Sequence, residues 1–167
     1  MKHLTYILLS AVLISCWSNP RPNNLNNTIS LDDALLEQSA TRVDLEALVL
    51  DSLSDSWGWS HETLSGGVLL EKINANEGAF NTSGDTIVLD VEVSLVNGNN
   101  CFKEDSLFMI IDQSNVSQMF NIIAKRMHSG DSCRALVPSD LGYGVRGIPG
   151  VVPPGAMLLV DVKQLAY

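Results

Sequence analysis

The residues best placed to do chemistry lie in one run, Leu141-Gly142-Tyr143-Gly144-Val145-Arg146-Gly147-Ile148-Pro149-Gly150-Val151-Val152-Pro153-Pro154-Gly155-Ala156. Tyr143, flanked by glycines, belongs to a loop that should expose its hydroxyl. The glycines do not make a phosphate cradle, because no Gly-Lys-Ser/Thr follows and a dinucleotide loop needs a strand before it and a helix after it. As a plain connection the run would be unusually long. Metal chemistry lacks ligands: beyond the N-terminal leader the histidines are His61 and His128, and Cys101 and Cys133 have no paired-cysteine spacing, so no zinc set can be drawn. Neither a metal nor a cofactor is expected.

Such a loop needs a frame to hold it. Residues 86–95 alternate, with Ile87, Leu89, Val91, Val93 and Leu95 on one face and Val88, Asp90, Glu92 and Ser94 on the other, as in a strand with one side on a core and the other mostly in water. Asn97-Gly98 tolerates positive φ and predicts a turn, followed by an interrupted return strand around residues 107–111. Val116, Met119, Phe120, Ile123 and Met127 fall at i, i+3, i+4, i+7 and i+11, one apolar stripe on a helix that ends near Gly130 and lies across the sheet. Residues 68–73, 134–137 and 157–165 read as further strands, the last two separated by the Gly/Pro loop. Ser30 with Asp33 has the capping-box pattern, and Leu31, Leu35, Leu36, Val43, Leu45, Leu48, Val49 and Leu53 recur at helical spacing, so one or two helices precede Ser65-Gly66-Gly67. Strands with one covering helix make the chain α+β.

With 167 residues, 46% hydrophobic and 17% charged, the chain has the material for one domain and a small appendage, and disorder of the whole chain is excluded. A net charge of −9 without any Lys/Arg cluster excludes nucleic acid as a partner, since no counterion-release energy can be collected. Residues 1–15 read as a secretory leader, with Lys2 in front of an apolar stretch well short of the ~20 residues that cross a bilayer. Leu13-Ile14-Ser15-Cys16 resembles a bacterial lipobox, in which cleavage before Cys16 leaves that cysteine to be acylated and to anchor the chain to a membrane. An ordinary leader with an incidental cysteine is the alternative. Residues 16–28 then form the lipidated cysteine and an Asn/Pro-rich linker, residues 29–64 a helical extension and residues 65–167 the folded domain. Trp17 is not the aspartate that holds bacterial lipoproteins in the inner membrane, which points to the outer membrane, facing the periplasm.

The loop of residues 141–156, continued by Met157-Leu158-Leu159-Val160-Asp161-Val162, closely resembles the signature of FKBP-type peptidyl-prolyl cis-trans isomerases. The resemblance extends over about residues 44–165, through Ser65-Gly66, Gly84-Asp85, the Asn97-Gly98 turn and the helix. It implies an FKBP-like fold, a bent antiparallel β-sheet wrapped on one α-helix, here with an N-terminal helical extension; the order of elements read above agrees. It also implies rotation about X-Pro bonds, which crosses a barrier of ~18–20 kcal/mol without nucleophile, metal or cofactor. The twisted amide loses its resonance, so a dry pocket that takes the proline and hydrogen-bonds the displaced carbonyl holds it better than either planar isomer.

By resemblance, Phe120 is the floor of that pocket, where the family usually has Trp, and the Tyr143 hydroxyl bonds the substrate carbonyl; these two are the expected catalytic residues. Val116 and Ser117 stand at the helix entrance, Ser117 in place of an apolar residue, and Ile148, Val151 and Val152 form a flap. Leu107 and Val160 take positions where the family commonly has Phe. Val91 replaces a pocket tyrosine, and the family's Phe-Asp pair becomes Cys101-Phe102 or Phe102-Lys103, without its aspartate. The implied function is a lipid-anchored isomerase that assists folding of exported proteins, with their proline-containing segments as substrates and macrolides as candidate ligands. The alternatives are a chaperone or interaction module with the same cleft and weak or no isomerase activity, or a structural envelope lipoprotein. Cys101 and Cys133 fall on strands too far apart in the family to bridge, so two free thiols are expected.

Overall fold

The computed structural model describes residues 31–166, with side chains from residue 35. The leader of residues 1–15, Cys16, the linker to residue 28 and the Ser30 cap lie outside the described residues. The chain divides into two compact units, Met1–Glu37 and Gln38–Tyr167. Of the first, the described part is the opening of helix α1 (Leu31–Ser56), in which Leu35 and Leu36 are exposed. The second contains the rest of that helix, the sheet and the Gly/Pro loop.

Six strands form one sheet: β1 (Glu62–Thr63), β2 (Leu69–Asn74), β3 (Thr86–Leu95), β4 (Asn100–Ile110), β5 (Ser132–Val137) and β6 (Leu158–Gln164), in the order β1-β2-β5-β6-β3-β4. Every neighbouring pair is antiparallel. β3 occupies the alternating run and buries Ile87, Leu89, Val91 and Val93, together with Val88 on its other side. Helix α2 (Gln118–Ala124) lays Met119, Phe120, Ile123 and Ala124 into the main core with Leu70, Leu89, Val91, Ala135, Leu158 and Val160. Each large aliphatic side chain buried there contributes about 1.5–3 kcal/mol.

Neighbouring strand residues point to opposite faces, so Leu69, Leu136 and Leu159 are turned away from that core. They meet a second, smaller cluster built by Leu50 and Leu53 of α1 and by Trp59. The Arg134 guanidinium lies 4.3 Å from the centre of the Trp59 ring and donates to Glu71 at 2.6 Å. Both faces of the sheet are therefore used, very unequally.

α1 is a single helix, within the one or two expected, and Val43, Leu45, Leu48 and Val49 along it are exposed. The structure departs from the sequence expectations in three places. β1 belongs to the sheet although it falls in the stretch read as helical. α2 ends at Ala124, well before Gly130; Met127 is reached through turns, Arg126 N–H donating to Ile123 O at 2.9 Å and Met127 N–H to Ala124 O at 3.1 Å, and is still fully buried. β4 runs unbroken through the expected interruption, because the Asp90 carboxylate accepts the Ser106 N–H at 2.9 Å and lets Ser106, at φ 63°, bulge out of register. Cys101 and Cys133 are both free, Cys133 buried with its Sγ 3.6 Å from Met127 Sδ.

Candidate active site

The Gly/Pro loop joins β5 to β6 and folds back on α2. Its tip is a tight turn: Ile148 and Val152 exchange backbone hydrogen bonds at 2.8 Å each, and Ile148 O also accepts the Val151 N–H at 2.9 Å across Pro149-Gly150. Proline then glycine at the two central positions is the residue choice of a type II turn. Just before it, Gly147 at φ +60 passes so close to the chain that a β-carbon would lie 2.2 Å from Val152 O, which only glycine permits. This turn divides the predicted flap. Ile148 and Val152 pack on the core, Val152 nearly fully buried, whereas Val151, at the tip, is 41% exposed.

Phe120, at 4% exposure, lies in one apolar cluster with Val91, Val160 and Val152, all buried. Phe102, Leu107, Val116, Tyr143 and Ile148 are half-buried against the same cluster. The sequence-predicted residues of the strands, the helix and the loop are thus brought together, with Val151 beside Ile148 and Val152 at the exposed tip. Ser117 is present but differently employed: its hydroxyl proton is shared by the carbonyl oxygens of Leu141 at 3.0 Å and Gly142 at 2.9 Å, which ties the α2 entrance to the root of the loop.

Tyr143 meets Phe102 edge to face, ring centres 6.1 Å apart. The register shows which face each residue after the turn occupies. Phe102 pairs with Val93 and shares its core face, Lys103 pairs with Glu92 on the opposite face, and Glu104 pairs with Val91 and so returns to the site's face. Glu104, two residues beyond Phe102, is thereby an acidic group on the side of Tyr143, a placement no sequence pattern announces. Burial pushes the Tyr143 phenol up to about 12, with the Glu104 carboxylate and Cys101 adding in the same direction. The hydroxyl therefore stays protonated at any physiological pH and is able to donate. The Tyr143 ring packs edge to face on Phe102 and against the apolar cluster that contains Phe120, Val91 and Val160. Among the described residues no group of three or more His, Cys, Asp or Glu side chains could hold a metal.

The family model described as FKBP-type peptidyl-prolyl cis-trans isomerase matches residues 78–165. The chain is 29% identical to FK506-binding protein 1 of Candida glabrata over 109 residues, covering 62% of this chain and 96% of the relative. It is 30% identical to a peptidyl-prolyl cis-trans isomerase of Schizosaccharomyces pombe, covering 60% of this chain and 94% of that protein. The FKBP-type isomerase FkpA of Escherichia coli K12 is 27% identical over 108 residues, of which the alignment takes in 39% of the relative's length. A crystal structure of a peptidyl-prolyl cis-trans isomerase from Pseudomonas syringae superposes with a TM-score of 0.64 over 77% of this chain and 94% of that one, at 17% identity, and so shares its fold.

Proposed function

Because the chain belongs to the FKBP-type peptidyl-prolyl cis-trans isomerase family, we propose that it catalyses the cis-trans isomerisation of X-Pro bonds in exported polypeptides. The observation that carries this reading is the Tyr143 hydroxyl, kept protonated and held at the border of the apolar cluster over Phe120. A proline ring set on the half-buried apolar side chains of Phe102, Leu107, Val116 and Ile148, with Phe120 beneath them, leaves water behind. Its preceding carbonyl, swung out of the amide plane, loses its resonance charge but turns its oxygen toward the rim, where the Tyr143 hydroxyl can donate to it. That donor acts on the twisted state more than on either planar isomer, which is the condition for acceleration. Uncatalysed, the step takes tens to hundreds of seconds, slow enough to limit folding.

The finer parts of the proposal are the anchor, the place of work and a ligand class. Acylation of Cys16 would hold the domain by its Asn/Pro-rich linker to the outer membrane, facing the periplasm, where newly exported chains fold. Macrolides of the class named in the FK506-binding relatives would compete for the same apolar surface. Metabolic labelling with a fatty acid, lost in Cys16→Ser, tests the anchor.

Exchange of an X-Pro peptide followed by NMR, with and without the protein, tests the chemistry. Faster exchange, weakened in Phe120→Leu, is the expected result. Val91 in place of a pocket tyrosine and the loss of the aspartate after Phe102 favour a second reading, a chaperone or interaction module with weak or no isomerase activity. Peptide resonances that shift on titration without faster exchange would select it.

A further inference from the structure

Tyr143 can act only if the root of its loop is fixed, and α2 supplies one of the fixings through Ser117. The other comes from an element outside the stretch that matches the family. Glu46, on α1, places one carboxylate oxygen 2.8 Å from the Ser139 N–H and the other 2.7 Å from the Ser139 hydroxyl. Ser139 is fully buried, and Glu46 keeps only 11% of its side chain exposed. Both donors of Ser139 are thereby spent on α1. Its carbonyl, in turn, accepts the Gly144 N–H at 2.8 Å, and Gly144 O accepts the Gly155 N–H at 2.9 Å. The line of hydrogen bonds runs from helix α1 through Ser139 to the residue immediately after Tyr143 and on to the far end of the flap. Arg42, one turn before Glu46, donates to Asp140 beside it. Leu141 lies against Gly66, where a β-carbon would come within 2.4 Å of its Cδ1.

We propose that Glu46 is a positioning residue for the isomerase reaction: its carboxylate, through Ser139 and Gly144, holds Tyr143 where the hydroxyl meets the displaced carbonyl. Two hydrogen bonds to a buried carboxylate are of the stronger, charge-assisted kind. Both lie on the same rigid helix, so the loop root cannot slide without breaking them together. The inference rests on the isomerase reading and adds α1 to the working part of the molecule. A glutamine at position 46 can keep both contacts, accepting from the Ser139 N–H and donating to its hydroxyl, whereas alanine keeps neither.

The test is the exchange assay on the full chain with Glu46→Ala and Glu46→Gln, each also combined with Tyr143→Phe, alongside amide hydrogen exchange at Gly144 and Gly155. The expected result is that Glu46→Ala lowers kcat/KM about tenfold, as loss of a charge-assisted pair predicts, and unprotects both amides. Glu46→Gln should stay within about twofold, and Glu46→Ala should add nothing once Tyr143 has lost its hydroxyl. An active wild-type protein whose Glu46→Ala variant keeps full kcat/KM overturns the proposal. So does a loss of equal size with and without the Tyr143 hydroxyl, which would make Glu46 a general stabiliser. An inactive wild-type protein is a different outcome: it defeats the isomerase reading itself and, with it, any positioning role.

Discussion

The two faces of the sheet are covered by different kinds of contact. On one, α2 closes a large apolar core that contains Phe120, Val91 and Val160, with Phe120 the proposed floor of the site. On the other, α1 contributes Leu50 and Leu53 to a small cluster with Trp59, leaves Val43, Leu45, Leu48 and Val49 exposed, and reaches the loop by polar groups, Glu46 and Arg42. The first face is held by buried area, which is strong and undirected. The second sets the position of the loop by a few directed hydrogen bonds. Apart from Ser117, which ties α2 to the loop root, stability and positioning are therefore carried by different regions, and substitutions should separate them.

The largest effect is expected where the two roles coincide. Phe120→Ala removes a buried ring from the main core and should cost about 3–5 kcal/mol of stability, read by urea unfolding. Turnover per folded molecule should fall as well, because the floor goes with the ring. A variant that lost stability and kept full turnover would break the identity of floor and core. Trp59→Ala, on the opposite face, should cost about 3 kcal/mol, at the low end for a large aromatic because the residue lies at the edge of a small cluster. Here turnover per folded molecule should be unchanged, and a matching loss would show that the faces are not separable.

Alkaline pH sharpens the comparison without altering contacts. Burial, helped by Asp131, pushes the Cys133 thiol up to about 12 from its usual 9.0, so the folded state resists its ionisation. The unfolded chain ionises first. The contribution of Cys133 is therefore fully present below about pH 9 and lost between pH 9 and 12, by on the order of 1 kcal/mol per pH unit. Unfolding midpoints across that range should fall steeply for the wild-type protein and more gently for Cys133→Ala; parallel slopes would place the sensitivity elsewhere.

The same division explains what could be read from the sequence. β3 was fully legible, because strict alternation over ten residues has one physical reading. The stripe on α2 correctly marked Met119, Phe120, Ile123 and Met127 as buried but overstated the helix, since turns after Ala124 can keep a side chain on the same face. The unbroken β4 depends on the Asp90 carboxylate meeting one backbone N–H sixteen residues away, and periodicity carries no trace of it. The helical spacing in α1 announced the helix but not what it packs against, and the residues that attach it to the loop are a glutamate and an arginine. Of the site, the resemblance located Phe120, Tyr143, Val91, Leu107, Val116, Ile148, Val152 and Val160 in one cluster. Glu104 and the tie of Ser117 to the loop came only from register and hydrogen bonds.

The smallest expected change is the most specific. Tyr143→Phe removes one oxygen from a half-buried ring whose edge-to-face contact with Phe102 survives the substitution. Stability should barely move, while kcat/KM should fall about tenfold, the worth of one hydrogen bond made mainly in the twisted state. The deficit should also be the same at pH 6 and pH 9, because burial and then the Glu104 carboxylate hold the phenol near 12 and the donor is intact across that range. Glu104→Gln removes part of that push and should bring the phenol down without changing activity at neutral pH. A deficit that varied between pH 6 and pH 9, or a loss of stability as large as the loss of rate, would return Tyr143 to the apolar face as a core residue.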